Sequence, residues 1–137
     1  MLYNLAVSYN YKHDHPAALA AAQRAAQIQG ARSPGSDRHR TALTLAASIA
    51  NESGEFSQAL ALTATSLGFA KPAESAQTAA WAQLERARSL IGLLRGGEAR
   101  PLLISARAAY GELKMRARVQ QIDKLLQNLP DRSWRVR

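Results

Sequence analysis

The sequence predicts an all-α protein. Apolar residues make up 47% of its 137 residues and are mainly Ala and Leu, whereas β-branched and aromatic residues are few. Within segments these apolar residues recur at helical spacing. Four of the five prolines and most of the eight glycines lie between those segments or at their starts. A chain of this length corresponds to one domain.

The first two predicted helices meet at the corner "HDHP". An apolar stripe at helical spacing marks the first helix and consists of Leu2, Leu5, Ala6 and Tyr9. Asp14 or His15 can cap the next helix, and Pro16 suits its first turn. This second helix is predicted from about residue 16 to 29 and ends at Gly30, a typical left-handed residue after a helix.

The later helices are separated by similar signals. "ARSPGSDR" predicts a loop in which Ser36 or Asp37 caps the following helix. "SGEF" and "RGGEA" predict two further corners, and Pro72 starts a long helix. A final amphipathic segment carries Met115, Val119, Ile122, Leu126 and Leu129 on one face. The predicted helices are about 38–53, 55–69, 72–95, 98–110 and 112–128.

Three corners, "KHDHPAAL", "SGEFSQAL" and "GGEARPLL", recur about 41 to 43 residues apart. This period indicates helix-turn-helix repeats. With these corners the chain resembles the tetratricopeptide repeat (TPR) family. The residues at its signature positions are Leu2, Leu5, Ala6, Tyr9, Asp14, Ala18, Ala22 and Ala25, then Ala46, Ala47, Gly54, Phe56, Ala59 and Leu67. A third unit fits with its turn shifted by one residue, through Leu90, Ile91, Leu94, Gly97, Leu102, Ala106 and Ala109.

The resemblance implies a right-handed superhelical stack of three TPR-like helix pairs and a C-terminal capping helix. Its parts would be one domain over 1–129, with units at about 1–30, 37–70 and 72–111 and a cap at 112–129, and a basic tail over 130–137. The units exceed the family's usual period of about 34 residues, as in long variants from bacterial regulatory proteins. In such a stack, alanine lets neighbouring helices approach closely.

The resemblance also implies a concave groove lined by the first helix of each pair. The residues carried over are Tyr3, Val7, Asn10 and Tyr11, then Thr41, Thr44, Ser48 and Asn51, then Glu85, Arg88 and Arg95. In the second and third units two registers, one residue apart, fit the alanine-rich stripes. Such a polar lining suits a peptide. The Lys/Asn set with which some family members clamp a C-terminal carboxylate is absent at Tyr3 and Val7.

The positive charge lies in the last third of the chain. Residues 1–85 carry six basic and six acidic groups, whereas residues 86–137 carry twelve basic and four acidic groups, which accounts for the net +8. An acidic protein, a nucleic acid or an anionic surface would suit this charge. A solvated, arginine-rich helix face is the alternative. The tail "DRSWRVR" combines arginines with Trp134 and could contact nucleic acid, or be a frayed terminus.

No catalytic or metal-binding pattern occurs in the sequence. The chain has no cysteine, no nucleophile elbow and no glycine-rich phosphate loop. His13 and His15 lack helical ligand spacing and a third ligand nearby. We therefore expect no enzyme activity, no metal and no cofactor. Trp81 and Tyr9 are expected in the core, whereas Tyr3 and Tyr11 fit either the core or the groove.

These observations favour a non-catalytic, cytoplasmic scaffold that binds a protein or peptide. No apolar run reaches the roughly 18 residues of a membrane span. The chain starts inside a helix, so an upstream segment or a second copy would cover Leu2, Leu5 and Tyr9, which allows a homodimer. We expect the interaction or sensor part of a larger regulatory protein. The length of the repeat is similar to that of long variants in bacterial transcription regulators, and this similarity is an analogy only. The alternative is a nucleic-acid-associated module that uses the basic last third.

Overall fold

Six helices and no strand form the part of the chain that the computed structural model describes, which comprises residue 6, residues 14–69 and residues 75–129. The helices are α1 (His15–Arg32), α2 (Asp37–Glu52), α3 (Phe56–Gly68), α4 (Ala76–Gly92), α5 (Gly96–Glu112) and α6 (Arg116–Asn128). The prediction of an all-α protein is confirmed. Ala6 is helical, but most of the predicted first helix and the tail at 130–137 lie outside the described residues.

Each helix packs against the next one along the chain, and α2 also packs against α4. Two polar contacts show the relative direction of α2 and α4. Thr78, near the start of α4, donates to Asp37 at the start of α2. Asn51, near the end of α2, donates to Glu85 in the second half of α4. The two helices therefore lie side by side in the same direction.

Three corners of the chain share one backbone hydrogen-bond pattern. At the α2–α3 corner the Gly54 amide donates to the Asn51 carbonyl, and the next amide donates to the Ala50 carbonyl. The α4–α5 and α5–α6 corners repeat both bonds, with Leu94 and Lys114 in place of Gly54. The three equivalent residues have φ of +82°, +62° and +58°. This is the Schellman motif, in which a left-handed residue closes the end of a helix.

The repeat period is visible in the residues that begin α1, α3 and α5. Asp14, Glu55 and Arg95 are the N-caps of these helices. They follow one another at intervals of 41 and 40 residues. Asp14 accepts a hydrogen bond from the Ala17 amide, whereas Glu55 and Arg95 make no side-chain cap bond. The backbone geometry of the corner is therefore more regular than its side-chain chemistry.

Two glycines predicted as turn residues lie inside helices. Helix α1 continues through Gly30 to Arg32, and a Cβ atom on Gly30 would lie 2.8 Å from Nε2 of His39. Gly30 therefore makes room for an imidazole ring and does not end the helix. Gly97 lies in the first turn of α5, and the left-handed residue at that corner is Leu94.

Replacing Leu94 with glycine should stabilise the protein by about 0.5–1 kcal/mol. Leu94 is 92% exposed and so contributes little burial, but its positive φ is unfavourable for a residue with a Cβ atom. Urea unfolding of both proteins measures the difference. Gly54→Ala is the reciprocal control, because nothing lies within 4 Å of its added Cβ. It should lose about 1 kcal/mol, and an unchanged or lower stability of Leu94→Gly would contradict the prediction.

Alanine forms most of the core between the N-terminal helices. The cluster shared by α1 and α2 contains Ala18, Ala22, Ala46 and Ile49, all fully buried. Between α2 and α3 the buried residues are Ala47, Ala50 and Ala59. Leu43, Leu45 and Ile49 of α2 are the larger buried apolar residues there. Large side chains are more frequent further along the chain, where Leu84, Leu103, Tyr110 and Ile122 join α4, α5 and α6. The first helices therefore pack mainly through the methyl groups of alanine.

His39 is held in a close-packed site between α1, α2 and the end of α3. It is 9% exposed, and its Nδ1 accepts the Gly35 amide at 3.0 Å. Its ring centre lies 5.2 Å from that of Phe69. Burial lowers the pKa of His39 from its usual value of 6.5. The neutral ring is therefore the form that fits the native structure.

We expect the protein to lose stability as the pH falls below about 6.5, because a His39 pKa that is lower in the folded than in the unfolded chain favours the unfolded state in acid. The stability contribution of neutral His39 is complete above that pH. Denaturant midpoints at pH 7.5 and 5 measure the loss. In His39→Asn, whose Oδ1 takes the position of the ring Nδ1 and can still accept the Gly35 amide, part of the loss should disappear. An undiminished loss would mean that other groups cause it.

Candidate functional site

An open groove of about 390 Å³ lies where α2, α4, α5 and α6 meet. It is lined by Asp37, Thr41, Ser75, Gln77, Thr78, Trp81, Tyr110 and Arg118. Most of these residues belong to the N-terminal turns of α2, α4 and α6. The exception is Tyr110, because the short α4–α5 corner makes α5 antiparallel to α4 and brings the end of α5 beside the start of α4.

The groove contains one carboxylate and one guanidinium. Asp37 is exposed, and its Oδ1 accepts a hydrogen bond of 2.6 Å from the Thr78 hydroxyl. Arg118 is partly buried, and its Nη1 donates to Gln121 at 3.1 Å. Its guanidinium carbon lies 5.9 Å from the centre of the Tyr110 ring, which is a cation–π distance. The charges of the groove are therefore balanced and each is oriented by a neighbour.

Tyr110 lines the groove although only 1% of its surface is exposed. Burial is the main reason that its pKa rises to about 12, although nearby Arg118 opposes the rise. The hydroxyl therefore keeps its proton at neutral pH. It makes no hydrogen bond with any residue that the structure describes. The hydroxyl oxygen is not among the described side-chain atoms that are both fully buried and unpaired, so it remains accessible from the groove.

Trp81 forms part of the groove wall and is fixed by a buried carboxylate. Its Nε1 donates to Oε2 of Glu85 at 3.1 Å, and Glu85 is 1% exposed. Asn51 Nδ2 and Arg88 Nη1 donate to Oε1 of Glu85 at 3.1 and 2.9 Å. Asn51 also accepts the Ser89 hydroxyl at 2.9 Å. This network, the Glu85 cluster, joins α2 to α4 and satisfies the buried charge with several donors.

The structure places the predicted groove residues of α2 at different depths. Thr41 lines the groove, and Ser48 is partly buried. Thr44 is fully buried. Its hydroxyl donates to the Arg40 carbonyl at 2.8 Å and lies 3.1 Å from the Ser66 hydroxyl. Thr44 is thus a core residue at the contact between α2 and α3, and the expectation that it faces a groove is corrected.

The other predicted residues do not line this groove. Asn51 and Glu85 are buried in the Glu85 cluster, where Arg88 pairs with Glu85. Arg95 caps α5 and forms an exposed ion pair with Glu98 at 2.6 Å. Tyr3, Val7, Asn10 and Tyr11 lie outside the described residues. Among the predicted residues of α2 and α4, Thr41 lines this groove, whereas the others lie nearer the C-terminal ends of the two helices.

Several groove residues were missed in the sequence. Ser75, Gln77 and Thr78 form the start of α4, and a serine that caps a helix followed by polar residues is a signal that could have located them. Trp81 was expected in the core; it packs partly on the alanine cluster of α1 and α2 and also lines the groove. No pattern in the sequence marks Tyr110 and Arg118 as groove residues, because the α5–α6 corner is what brings them together.

In the described ranges, no three His, Cys, Asp or Glu side chains come together as a metal site. None of the described helices has the length and apolar content to span a membrane. No protein-family model matches the sequence, and neither the curated proteins nor the solved structures gave a significant match.

Proposed function

We propose that the chain is a non-catalytic scaffold of long-period TPR-like architecture that binds a protein or peptide. In this proposal the helix pairs stack into a right-handed superhelix and α6 caps the stack. Support comes from the equivalent corners at Gly54 and Leu94. The parallel packing of α2 on α4 is the arrangement that successive first helices of such pairs would adopt. The scaffold would be the interaction part of a larger regulatory protein.

The open groove between α2, α4, α5 and α6 carries this proposal. Its lining offers hydroxyl groups, among them that of Tyr110, an exposed amide on Gln77 and the partly exposed aromatic side chain of Trp81. Aromatic and arginine side chains are the groups that most often anchor protein partners. An open groove suits an extended or helical segment. The partner segment would meet Arg118 through an acidic group.

Selection of peptides on the purified chain from a random display library tests the proposed function. Peptides that bind wild type should lose about tenfold or more in affinity to Arg118→Glu, because reversing an interfacial charge turns attraction into repulsion. Lys124→Glu makes the same charge change on an exposed part of α6 that does not line the groove. It should leave affinity within about twofold. Equal losses in both variants would mean that the groove is not the binding site.

A nucleic-acid-associated role is the second candidate, and one observation favours it. Lys114 and Arg116, at the α5–α6 corner, are exposed and make no ion pair with described residues. Fluorescence anisotropy with single-stranded and duplex oligonucleotides at two salt concentrations tests it. Binding through phosphates would weaken steeply with salt and would be reduced in Lys114→Glu/Arg116→Glu. Salt-insensitive peptide binding without oligonucleotide binding would exclude this role.

A further inference from the structure

We propose that the groove recognises a peptide segment of mixed charge, with an acidic side chain bound at Arg118 and a basic side chain bound at Asp37. This inference rests on the proposed function, since it specifies the segment that the scaffold would bind. It goes beyond an acidic partner, because it requires both charges in the same segment. The observations that carry it are the opposed charges of Asp37 and Arg118 and the unpartnered hydroxyl of Tyr110.

The first half of the site is built from Arg118 and Tyr110. One nitrogen of the guanidinium donates to Gln121, which leaves its other N–H groups available to a ligand. The Tyr110 ring beside the guanidinium is 99% buried, yet it lines the groove. Because its hydroxyl is protonated and has no partner among the described residues, it can donate to an oxygen held by Arg118. Together these groups suit a carboxylate.

The second half of the site is Asp37. The Thr78 hydroxyl occupies one of its oxygens and fixes the carboxylate at the start of α2. The other oxygen makes no hydrogen bond or ion pair with the described residues. The side chain is exposed toward the groove. An oriented carboxylate with a vacant oxygen suits a lysine or arginine side chain of a partner.

Asp37 also argues against a strongly acidic ligand. A second anionic group on the partner would meet the Asp37 carboxylate within the same groove, and like charges at an interface oppose binding. A doubly charged phosphate would be disfavoured for the same reason. Trp81 lies in the groove wall with these charges, and its ring can pack on the aliphatic part of a long charged side chain. The groove is therefore matched to one negative and one positive side chain.

Synthetic peptides test the required charge pair. Each would have about nine residues of alanine and serine, with one Glu and one Lys separated by zero to about five residues. Glu-only and Lys-only peptides of the same length are the controls. Binding is followed by Trp81 fluorescence in a Trp134→Phe background, since the chain has only two tryptophans. At one separation and orientation, the Glu/Lys peptide should bind about tenfold more tightly than either control, as expected when both charge pairs form.

Charge exchange identifies which residue meets which charge. Arg118→Glu should abolish the preference for the Glu/Lys peptide, and replacing the peptide's Glu with Lys should restore it. Asp37→Lys should likewise abolish this preference, and replacing the peptide's Lys with Glu should restore it. Circular dichroism and the unfolding midpoint show whether each variant is folded. Arg118→Lys and Asp37→Glu, which keep the charges, should retain a measurable preference if either reversal prevents folding.

The outcomes separate this inference from the proposed function. If Glu-only peptides bind as well as mixed peptides and Asp37→Lys has no effect, the mixed-charge requirement is overturned while the groove remains a peptide site. The same holds if library peptides bind at Arg118 but no Glu/Lys spacing is preferred. If neither library peptides nor designed peptides bind, both the proposed function and the inference fail.

Discussion

Replacing Asn51 with aspartate is expected to lower the free energy of unfolding by about 3–5 kcal/mol at pH 7.5. Asn51 donates to Oε1 of Glu85 at 3.1 Å, and Glu85 is 1% exposed. An aspartate at this position would face the buried carboxylate with a like charge and without a donor. Since like charges in a buried site cannot both stay ionised at low cost, the substitution breaks the contact between α2 and α4.

The pH dependence of Asn51→Asp provides a second readout. Two adjacent carboxylates share a proton, so their coupled titration in the folded chain moves to higher pH than in the unfolded chain. A raised folded pKa means that the stability deficit grows as the pH rises and shrinks as it falls. Chemical unfolding at pH 7.5 and 5 measures both effects. The pH 5 deficit should be the smaller one.

A reciprocal exchange is the matched control for Asn51→Asp. Asn51→Asp/Glu85→Gln restores one amide and one carboxylate to the same contact. It should recover a substantial part of the loss, as expected for two residues that are coupled directly. An additive double variant, or a single Asn51→Asp variant as stable as wild type, would show that the Glu85 cluster does not hold α2 against α4.

Replacing Ala22 with leucine is expected to destabilise the protein by about 2–3 kcal/mol. Ala22 has no exposed surface and belongs to the alanine cluster between α1 and α2, with Ala18, Ala46 and Ile49. Three additional carbon atoms cannot fit at this contact unless the helices separate. Urea unfolding of the variant measures the effect.

Ala20→Leu is the matched control for overpacking. Ala20 lies on the same helix but is exposed. Since alanine and leucine have similar helix propensities, the control should change stability by less than about 0.5 kcal/mol. The difference in stability between the two variants separates the effect of core packing from that of helix propensity. Equal effects of both substitutions would indicate that the alanine at position 22 does not set the distance between the helices.

Local signals made most of the helices predictable. The helix predicted at about 38–53 corresponds to α2 (Asp37–Glu52), and that at about 55–69 corresponds to α3 (Phe56–Gly68). Caps and corners depend on neighbouring residues, as at Ser36, whose hydroxyl accepts the His39 amide. The prediction that Gly30 ends a helix is wrong, because the role of this glycine depends on His39, which approaches it from another helix.

The groove was less predictable because its residues meet across several helices. Asp37 and Thr78 form a 2.6 Å hydrogen bond although they are 41 positions apart, and no local pattern selects this pair. Alanine-rich stripes also do not determine which face of α2 points to the core. The sequence therefore predicts Thr44 at a surface, although it packs against Ser66. Tyr110 and Arg118 come together only because the α5–α6 corner turns the chain back.

The hydrogen bonds that close the three corners join main-chain atoms. The left-handed residue therefore need not be glycine. Glycine at position 54, leucine at 94 and lysine at 114 occupy the same geometry. A residue other than glycine costs about 1 kcal/mol at each site, which is small beside the burial of the neighbouring helices. The corners at positions 94 and 114 therefore keep the helix-closing geometry without glycine, the residue by which such a corner is most easily recognised in a sequence.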